Sequence, residues 1–182
     1  VIQNSVLSQV TNPSIVICDT MNYWIENTPH QLNNILSKVD CLVINDSEAR
    51  ELSGTANLVV AARKIRGMGP KIIVVKKGEH GALLFVEDTI FSVPAYPLED
   101  IQDPTGAGDA FMGGFAGYLS GCADINLDAL KSALVYGTAI ASFTVEHFGP
   151  EGLYNLSMTD IYHRIGAFRN LTSIPEEILN QS

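Results

Sequence analysis

Residues 103–114 have the sequence DPTGAGDAFMGG, and this stretch decides both the fold and the chemistry expected of the chain. Gly106 and Gly108 allow backbone angles and a close ligand approach that side chains would block. A helix is predicted to begin here, so its first N–H groups have no intrahelical acceptors and the positive end of its dipole lies behind them. These groups are expected to form a site for an anion such as a transferring phosphoryl group.

Asp109 is predicted to lie in the first turn of that helix, beside the same anion site. From there its carboxylate can accept a proton from an attacking hydroxyl, which is the arrangement that a kinase needs. A structural alternative stays open, in which Asp109 only complements the helix dipole and the glycines form a tight turn. The Gly113-Gly114 pair weighs against it, because adjacent glycines destabilise a helix interior unless something packs closely there.

Two other kinds of phosphate-binding loop do not fit this stretch. A dinucleotide-binding fingerprint would need a third glycine at position 111, where the chain has Phe111. A P-loop needs a glycine followed by lysine and a hydroxyl residue, and the sequence contains no such triplet. The anion site is therefore expected to belong to a different class of nucleotide-binding protein.

Around this stretch, apolar runs alternate with segments of helical spacing, which is the rhythm of an α/β fold. Strands are predicted at 14–19, 41–44 and 71–75, followed by a hairpin at 81–86 and 89–93. Helices are predicted at 30–39, at 46–52 with Asp46 or Ser47 as N-cap, and at 56–67, 106–119, 127–148 and 158–168. The sequence has no internal repeat and no long linker, so residues 1–182 are predicted to form one layered α/β domain.

Composition narrows the classes of function and partner. The 182 residues carry a net charge of −9, which disfavours general binding to nucleic acid or to anionic membranes. Three scattered cysteines without a CxxC pair suit a reduced, cytoplasmic compartment. The chain begins at Val1, inside a helical spacing of Ile2, Val6 and Val10, and we expect the start of a longer protein to be missing.

Three motifs in order resemble the ribokinase-like (PfkB) carbohydrate kinase family. The run DPTGAGDAFMGGF is similar to the C-terminal signature of that family, and residues 45–48 (NDSE) resemble its Asn-x-x-Glu motif. Residues 75–82 (VKKGEHGA) resemble its strand-turn-strand beside the nucleotide. The resemblance covers residues 14–152 and implies the second half of a three-layer α/β/α protein with a mostly parallel central sheet, whose N-terminal part and lid this chain lacks.

The same resemblance implies the catalytic and metal-binding residues. Asp109 would be the base that deprotonates the substrate hydroxyl, and the amides of Gly106, Ala107 and Gly108 would form the anion hole for the γ-phosphate. Glu48, helped by Asn45, would organise Mg²⁺ through water, which suits an ion that keeps much of its hydration shell. Asp103, with carbonyls near Gly149, would contribute to a monovalent-cation site for an ion such as K⁺.

Nucleotide contacts are also implied by the resemblance. Gly78, Gly81 and Thr105 are expected beside ATP, and Asn22 is expected to approach its phosphates, although Trp24 or a neighbour replaces the arginine that often follows in relatives. Lys76 departs from the residue usual in relatives, and two positions remain open for it. It extends into solvent, or it reaches a nucleotide phosphate.

The resulting hypothesis is an ATP- and Mg²⁺-dependent kinase that acts on a hydroxyl of a sugar or nucleoside. Two alternatives remain: a nucleotide-binding regulatory module that has lost catalysis, and a kinase of a vitamin-precursor alcohol from the same superfamily. The missing lid implies a possible homodimer. Because substrate-binding residues of the family lie mainly in the first half, the identity of the substrate is not encoded in these residues.

Overall fold

A five-stranded sheet forms the centre of the computed structural model, which describes residues 2–173. Its strands are β1 (Ile17–Asp19), β2 (Cys41–Asn45), β3 (Ile72–Lys76), β4 (Ala82–Val86) and β5 (Thr89–Val93), and they lie side by side in that order. Strands β1, β2 and β3 pair in parallel, whereas β4 and β5 continue the sheet as an antiparallel hairpin. The predicted parallel sheet with an appended hairpin is confirmed.

Helices precede, connect and follow these strands. They are α1 (Ile2–Leu7), α2 (Asn22–Asn27), α3 (Pro29–Leu36), α4 (Asp46–Ser53), α5 (Leu58–Arg66), α6 (Ala107–Ser120), α7 (Leu127–Val145), α8 (Glu151–Tyr154) and α9 (Met158–Thr172). One hydrophobic core joins α3, α4 and α5 to one face of the sheet, and a second joins α6, α7 and α9 to the other face. The predicted three-layer α/β/α arrangement is therefore confirmed.

Strands β2 and β3 are buried on both faces, which explains their continuous apolar runs. Side chains alternate along a strand, so Val43 and Val74 enter the core beneath α6 and α7. Their neighbours Ile44 and Val75 enter the opposite core. All four side chains are fully buried, so a one-residue shift in register would exchange the two cores.

Helices α6 and α7 approach closely at a pair of glycines. A Cβ placed on Gly114 would lie 2.9 Å from the Ile140 side chain and 3.0 Å from Gly137 Cα, whereas one placed on Gly113 would meet open space. Gly137 in turn leaves room for the main chain of Phe111. The close packing expected for the Gly113-Gly114 pair therefore holds at Gly114 alone.

Some predicted boundaries near the N-terminus are wrong. Strand β1 is shorter than 14–19, because β2 begins at Cys41 and its register pairs that residue with Ile17. Helix α1 ends at Leu7, so Val10 lies outside it, and α1 buries none of its side chains. Helix α2 has no counterpart in the prediction. Tyr23 and Trp24 lie on it, 53% and 38% exposed.

The long apolar helix predicted at 127–148 ends earlier, at Val145. The Val145 carbonyl accepts hydrogen bonds from the amides of Gln102 and Asp103, so a neighbouring loop, and not the next turn of helix, supplies its donors. Phe148 consequently lies outside the helix and is 63% exposed.

Candidate functional site

The carboxyl ends of the three parallel strands bring polar side chains to one edge of the sheet. Asp19 ends β1, Asn45 ends β2 and Lys76 ends β3, and the register pairs Asn45 with Lys76. Helix α6 begins at the same edge, because a Cβ placed on Gly108 would lie 3.2 Å from Lys76 Nζ. Ligand sites in open α/β sheets lie at this edge.

Lys76 and Asp19 form an ion pair at this edge. The Lys76 ammonium donates to Asp19 Oδ2 at 3.1 Å, and the two side chains are 20% and 31% exposed. The amide of Thr20 donates to the other carboxylate oxygen, Oδ1, at 2.8 Å. Lys76 is therefore not extended into solvent; its ammonium pairs with Asp19 and lies beside Gly108. Its predicted contact with a nucleotide phosphate stays a prediction.

Asn45 and Glu48 form a capping box at the start of α4. The Asn45 side-chain oxygen accepts from the Glu48 amide at 2.8 Å, and Glu48 Oε2 accepts from the Asn45 amide at 3.1 Å. The predicted N-cap, Asp46 or Ser47, is therefore wrong by one or two positions, because the reciprocal pair satisfies two amides at once. Ser47 instead donates its hydroxyl hydrogen bond to the Asn45 side chain at 2.7 Å.

Glu48 is also electrostatically coupled to the sheet edge. Burial raises the pKa of its carboxyl group above the ordinary value, and the negative charge of Asp19 acts in the same direction. Hydrogen bonds from the Asn45 and Asn22 amides and the positive charge of Lys76 act in the opposite direction. Glu48, Asp19 and Lys76 thus form one charged cluster. Glu48 is its most buried member and is 5% exposed.

The start of α6 presents main-chain donors and a free carboxylate. Gly106 is the N-cap in the left-handed conformation, with φ of 81°, which explains the glycine there. The Ala107 amide donates to the Pro104 carbonyl at 3.2 Å, so it is already engaged. Within residues 2–173 the amides of Gly106 and Gly108 have no acceptor, and the side chain of Asp109 is exposed without a hydrogen-bond or ion-pair partner.

Asp103 fixes the loop that leads into α6. Its Oδ1 accepts from the Thr105 amide at 2.9 Å. Hydrogen bonds from the Thr105 side chain and amide, and from the Gly149 amide, lower the pKa of Asp103. The loop around Gly149 therefore lies against Asp103, and Gly149 has a positive φ of 56°. The monovalent-cation site at Asp103 stays a prediction.

The remaining predicted site residues lie around this edge. Gly78 and Gly81 bracket the 3-10 turn that follows Lys76, and both have positive φ. Packing also requires glycine at position 81, because a Cβ there would lie 2.0 Å from the Val93 carbonyl oxygen. Asn22 begins α2, and its side chain makes only a long contact of 3.5 Å with Glu51. Thr105 directly precedes the N-cap of α6. In the part of the chain that the structure describes, no hydrogen bond or ion pair joins Asn22, Gly78 or Gly81 to the start of α6.

Sequence reasoning missed Asp19, which is central to the geometry. It was predicted only as the last residue of the strand at 14–19. A polar side chain at the end of a buried strand was the available signal, but its partner Lys76 lies 57 positions further along the chain. Only the parallel pairing of β1, β2 and β3 brings the two together.

The oxygen donors at this edge fit a metal ion held mainly by water. Among residues 2–173, no three His, Cys, Asp or Glu side chains are grouped as a metal centre. Glu48 has a second carboxylate oxygen beyond the one in its capping box, and Mg²⁺ tolerates a site with few protein ligands. Two cavities, of about 470 and 420 Å³, flank strand β1; Asp19 lines the first, whereas Glu48 and Lys76 line neither of these two.

Comparison with known proteins assigns the chain to a family. Residues 8–154 match the model of the pfkB family carbohydrate kinases. The chain belongs to the pfkB family. Over 111 residues it is 38% identical to a cytidine kinase of Thermococcus kodakarensis, an alignment that covers 57% of this chain and 40% of the relative. It is 34% identical over 122 residues to a deoxyribokinase of Salmonella typhi, covering 64% and 38%.

Solved structures of this family share the fold. The aminoimidazole riboside kinase of Salmonella enterica, crystallised with aminoimidazole riboside and an ATP analogue, superimposes with a TM-score of 0.67 at 26% identity. The match covers 87% of this pfkB chain and 52% of that protein. The chain thus spans about half the length of its relatives or less.

No helix within residues 2–173 combines the length and apolar character needed to cross a bilayer.

Proposed function

We propose that the full-length protein containing this chain transfers the γ-phosphoryl group of ATP to a hydroxyl of a sugar or nucleoside. One observation carries the proposal: the Lys76 ammonium lies beside Gly108 at the start of α6, where the amides of Gly106 and Gly108 have no acceptor within residues 2–173 and the exposed carboxylate of Asp109 lies in the same helical turn. Kinases need a positive, donor-rich cradle for the phosphoryl group next to a base. Membership of the pfkB family supports the same reaction class.

In this reaction Asp109 accepts the proton of the acceptor hydroxyl as its oxygen attacks the γ-phosphorus. The amides of Gly106 and Gly108 and the positive end of the α6 dipole stabilise negative charge on the transferred group. Lys76 adds a full positive charge beside them. Glu48 and Asn45 would hold Mg²⁺ through water, and the ion would supply positive charge opposite the nucleotide phosphates. ADP leaves once the phosphate ester has formed.

Two finer assignments belong to the same proposal. Thr105, Gly78, Gly81 and Asn22 surround the nucleotide, and Asp103 with the loop at Gly149 holds a monovalent cation. The contact between Asp103 and the Gly149 amide supports the second assignment, because it places the two loops side by side. A homodimer formed through a lid outside this chain remains an expectation drawn from the family resemblance.

A nucleotide-binding regulatory module without catalysis is the competing function. The unobstructed carboxylate of Asp109 favours the kinase, because a module that only binds nucleotide does not need a base at that position. A vitamin-precursor alcohol as acceptor differs from the main proposal in substrate alone. A panel of sugars, nucleosides and pyrimidine-methanol compounds separates these cases.

The decisive experiment compares Asp109→Asn with Asp128→Asn in the full-length protein. Asp128 also lies in the first turn of a helix, α7, so its substitution removes the same charge from an equivalent position. We expect Asp109→Asn to lower kcat by about 10²- to 10⁴-fold while ATP still binds, because a positioned base contributes that much. Asp128→Asn should retain the rate of the wild type. Undiminished phosphorylation by Asp109→Asn would remove the catalytic assignment.

A further inference from the structure

The Asp19–Lys76 ion pair spans the sheet edge in a way that the family motifs do not explain. Asp19 ends β1 and Lys76 ends β3, with β2 between them. Strands two positions apart are separated by about 10 Å, so the Lys76 side chain must extend across the end of β2 to reach Asp19 at 3.1 Å. This path takes the ammonium past Glu48 and leaves it beside Gly108.

Asp19 is itself held in place. The Thr20 amide fixes its Oδ1 at 2.8 Å, which directs Oδ2 toward Lys76. Asp has a short side chain with few rotamers, whereas Lys has a long one that loses much conformational entropy when it is fixed. The anchored carboxylate therefore determines where the mobile ammonium lies.

The ammonium retains capacity for a second partner. A lysine ammonium has three donors, and the structure shows one acceptor for it, Asp19 Oδ2, within residues 2–173. A phosphate oxygen at the free amides of α6 can therefore bind Lys76 without breaking the ion pair. Without Lys76, the carboxylates of Asp19 and Glu48 would repel that phosphate.

We infer that Asp19 is a positioning residue, which holds the Lys76 ammonium at the start of α6 so that it binds the terminal phosphate of the nucleotide. The inference rests on the proposed function, and it assigns to Asp19 a role that acts through Lys76 alone. A carboxylate near a phosphate site otherwise weakens phosphate binding by repulsion. The loss of ATP affinity on removing Asp19 must therefore depend on whether Lys76 is present.

The test measures ATP and adenosine affinity in the full-length protein by calorimetry, for Asp19→Asn, Lys76→Met and the double variant. Lys76→Met should weaken ATP binding by about 10- to 100-fold, the range for a charge-assisted hydrogen bond, and leave adenosine affinity unchanged. Asp19→Asn should weaken ATP binding by about 10-fold when Lys76 is present. In the Lys76→Met background the same substitution should cause no further loss.

Two control variants remove one positive and one negative charge at other positions. Lys71→Met changes a lysine at the opposite end of β3, and Asp88→Asn changes an exposed residue in the β4–β5 turn; neither should alter ATP affinity. Equal losses from Asp19→Asn in both backgrounds, or a parallel loss of adenosine binding, would overturn the inference in favour of a structural role.

The outcomes also separate this inference from the proposed function. ATP binding by the wild type without phosphorylation of any sugar or nucleoside overturns the kinase proposal alone, and the affinity comparison still decides the role of Asp19. Absence of ATP binding by the wild type overturns both.

Discussion

Glu48 is a carboxyl group whose ionisation lowers the stability of the fold. Burial raises its pKa above the value it has in the unfolded chain, and hydrogen bonds from the Asn45 and Asn22 amides offset this only in part. The folded state therefore holds the proton more tightly. Its stabilising contribution is complete below the unfolded pKa and is lost as the pH rises through the folded pKa.

Glu48→Gln should therefore become more stable relative to the wild type as the pH rises from about 4 to 8, the region above the ordinary carboxyl pKa. The glutamine side-chain oxygen can still accept from the Asn45 amide, so the capping box keeps that bond. Urea denaturation at several pH values measures the difference. Glu99→Gln serves as the control, because this exposed residue has no ion pair within residues 2–173, and it should show no such trend. A stability difference for Glu48→Gln that stays constant with pH contradicts the electrostatic cause.

At the scale of elements, Gly113 and Gly114 should differ in how their substitution affects the stability of the contact between α6 and α7. Gly114→Ala should lower the free energy of unfolding by about 1–3 kcal/mol, because its Cβ would meet Ile140 and Gly137 at 2.9 and 3.0 Å. Gly113→Ala should raise that free energy by about 0.5–1 kcal/mol, since the position is open and alanine favours a helix. Thermal or chemical denaturation of the two variants checks the opposite signs, and equal effects would contradict the packing geometry.

The helices and strands that were predicted correctly are those whose sequence signals lie within a few neighbouring residues. The buried runs of β2 and β3, the β4–β5 hairpin and the start of α6 follow from neighbouring residues, and the structure confirms them. A capping box also forms between Ser157 and Asp160, three positions apart at the start of α9. These features depend on contacts between residues a few positions apart.

The elements predicted poorly are those fixed by distant segments. The end of α7 is set by amides of Gln102 and Asp103, and the length of β1 is set by where β2 begins. In the candidate site, the glycine-rich turn and the Asn45–Glu48 pair were visible in the sequence, whereas the Asp19–Lys76 pair was not. Such contacts depend on strand order, which periodicity does not encode.

At the scale of the whole molecule, Arg164 joins three segments that are far apart in sequence. From α9 its guanidinium pairs with both carboxylate oxygens of Glu146, just beyond the end of α7, and donates to the Ser142 hydroxyl at 2.9 Å. It also stacks 3.7 Å from the Phe143 ring centre and 4.6 Å from that of Tyr96, in the loop after β5. The side chain is only 14% exposed, so α9 is tied to the second core by a largely desolvated contact.

Arg164→Met should therefore lower the free energy of unfolding by about 1–3 kcal/mol, the penalty for leaving a hydrogen-bonded charge such as Glu146 without its partner. Arg164→Lys should lose nearly as much stability, because a lysine ammonium can neither form the bidentate pair nor stack as a plane between two rings. The control is Arg169→Met in the last turns of the same helix, at an exposed position, which should leave stability within about 0.5 kcal/mol of the wild type. Chemical denaturation of the three variants measures these differences. If Arg164→Lys retains the stability of the wild type, charge alone holds α9 in place and the planar stacking contributes nothing.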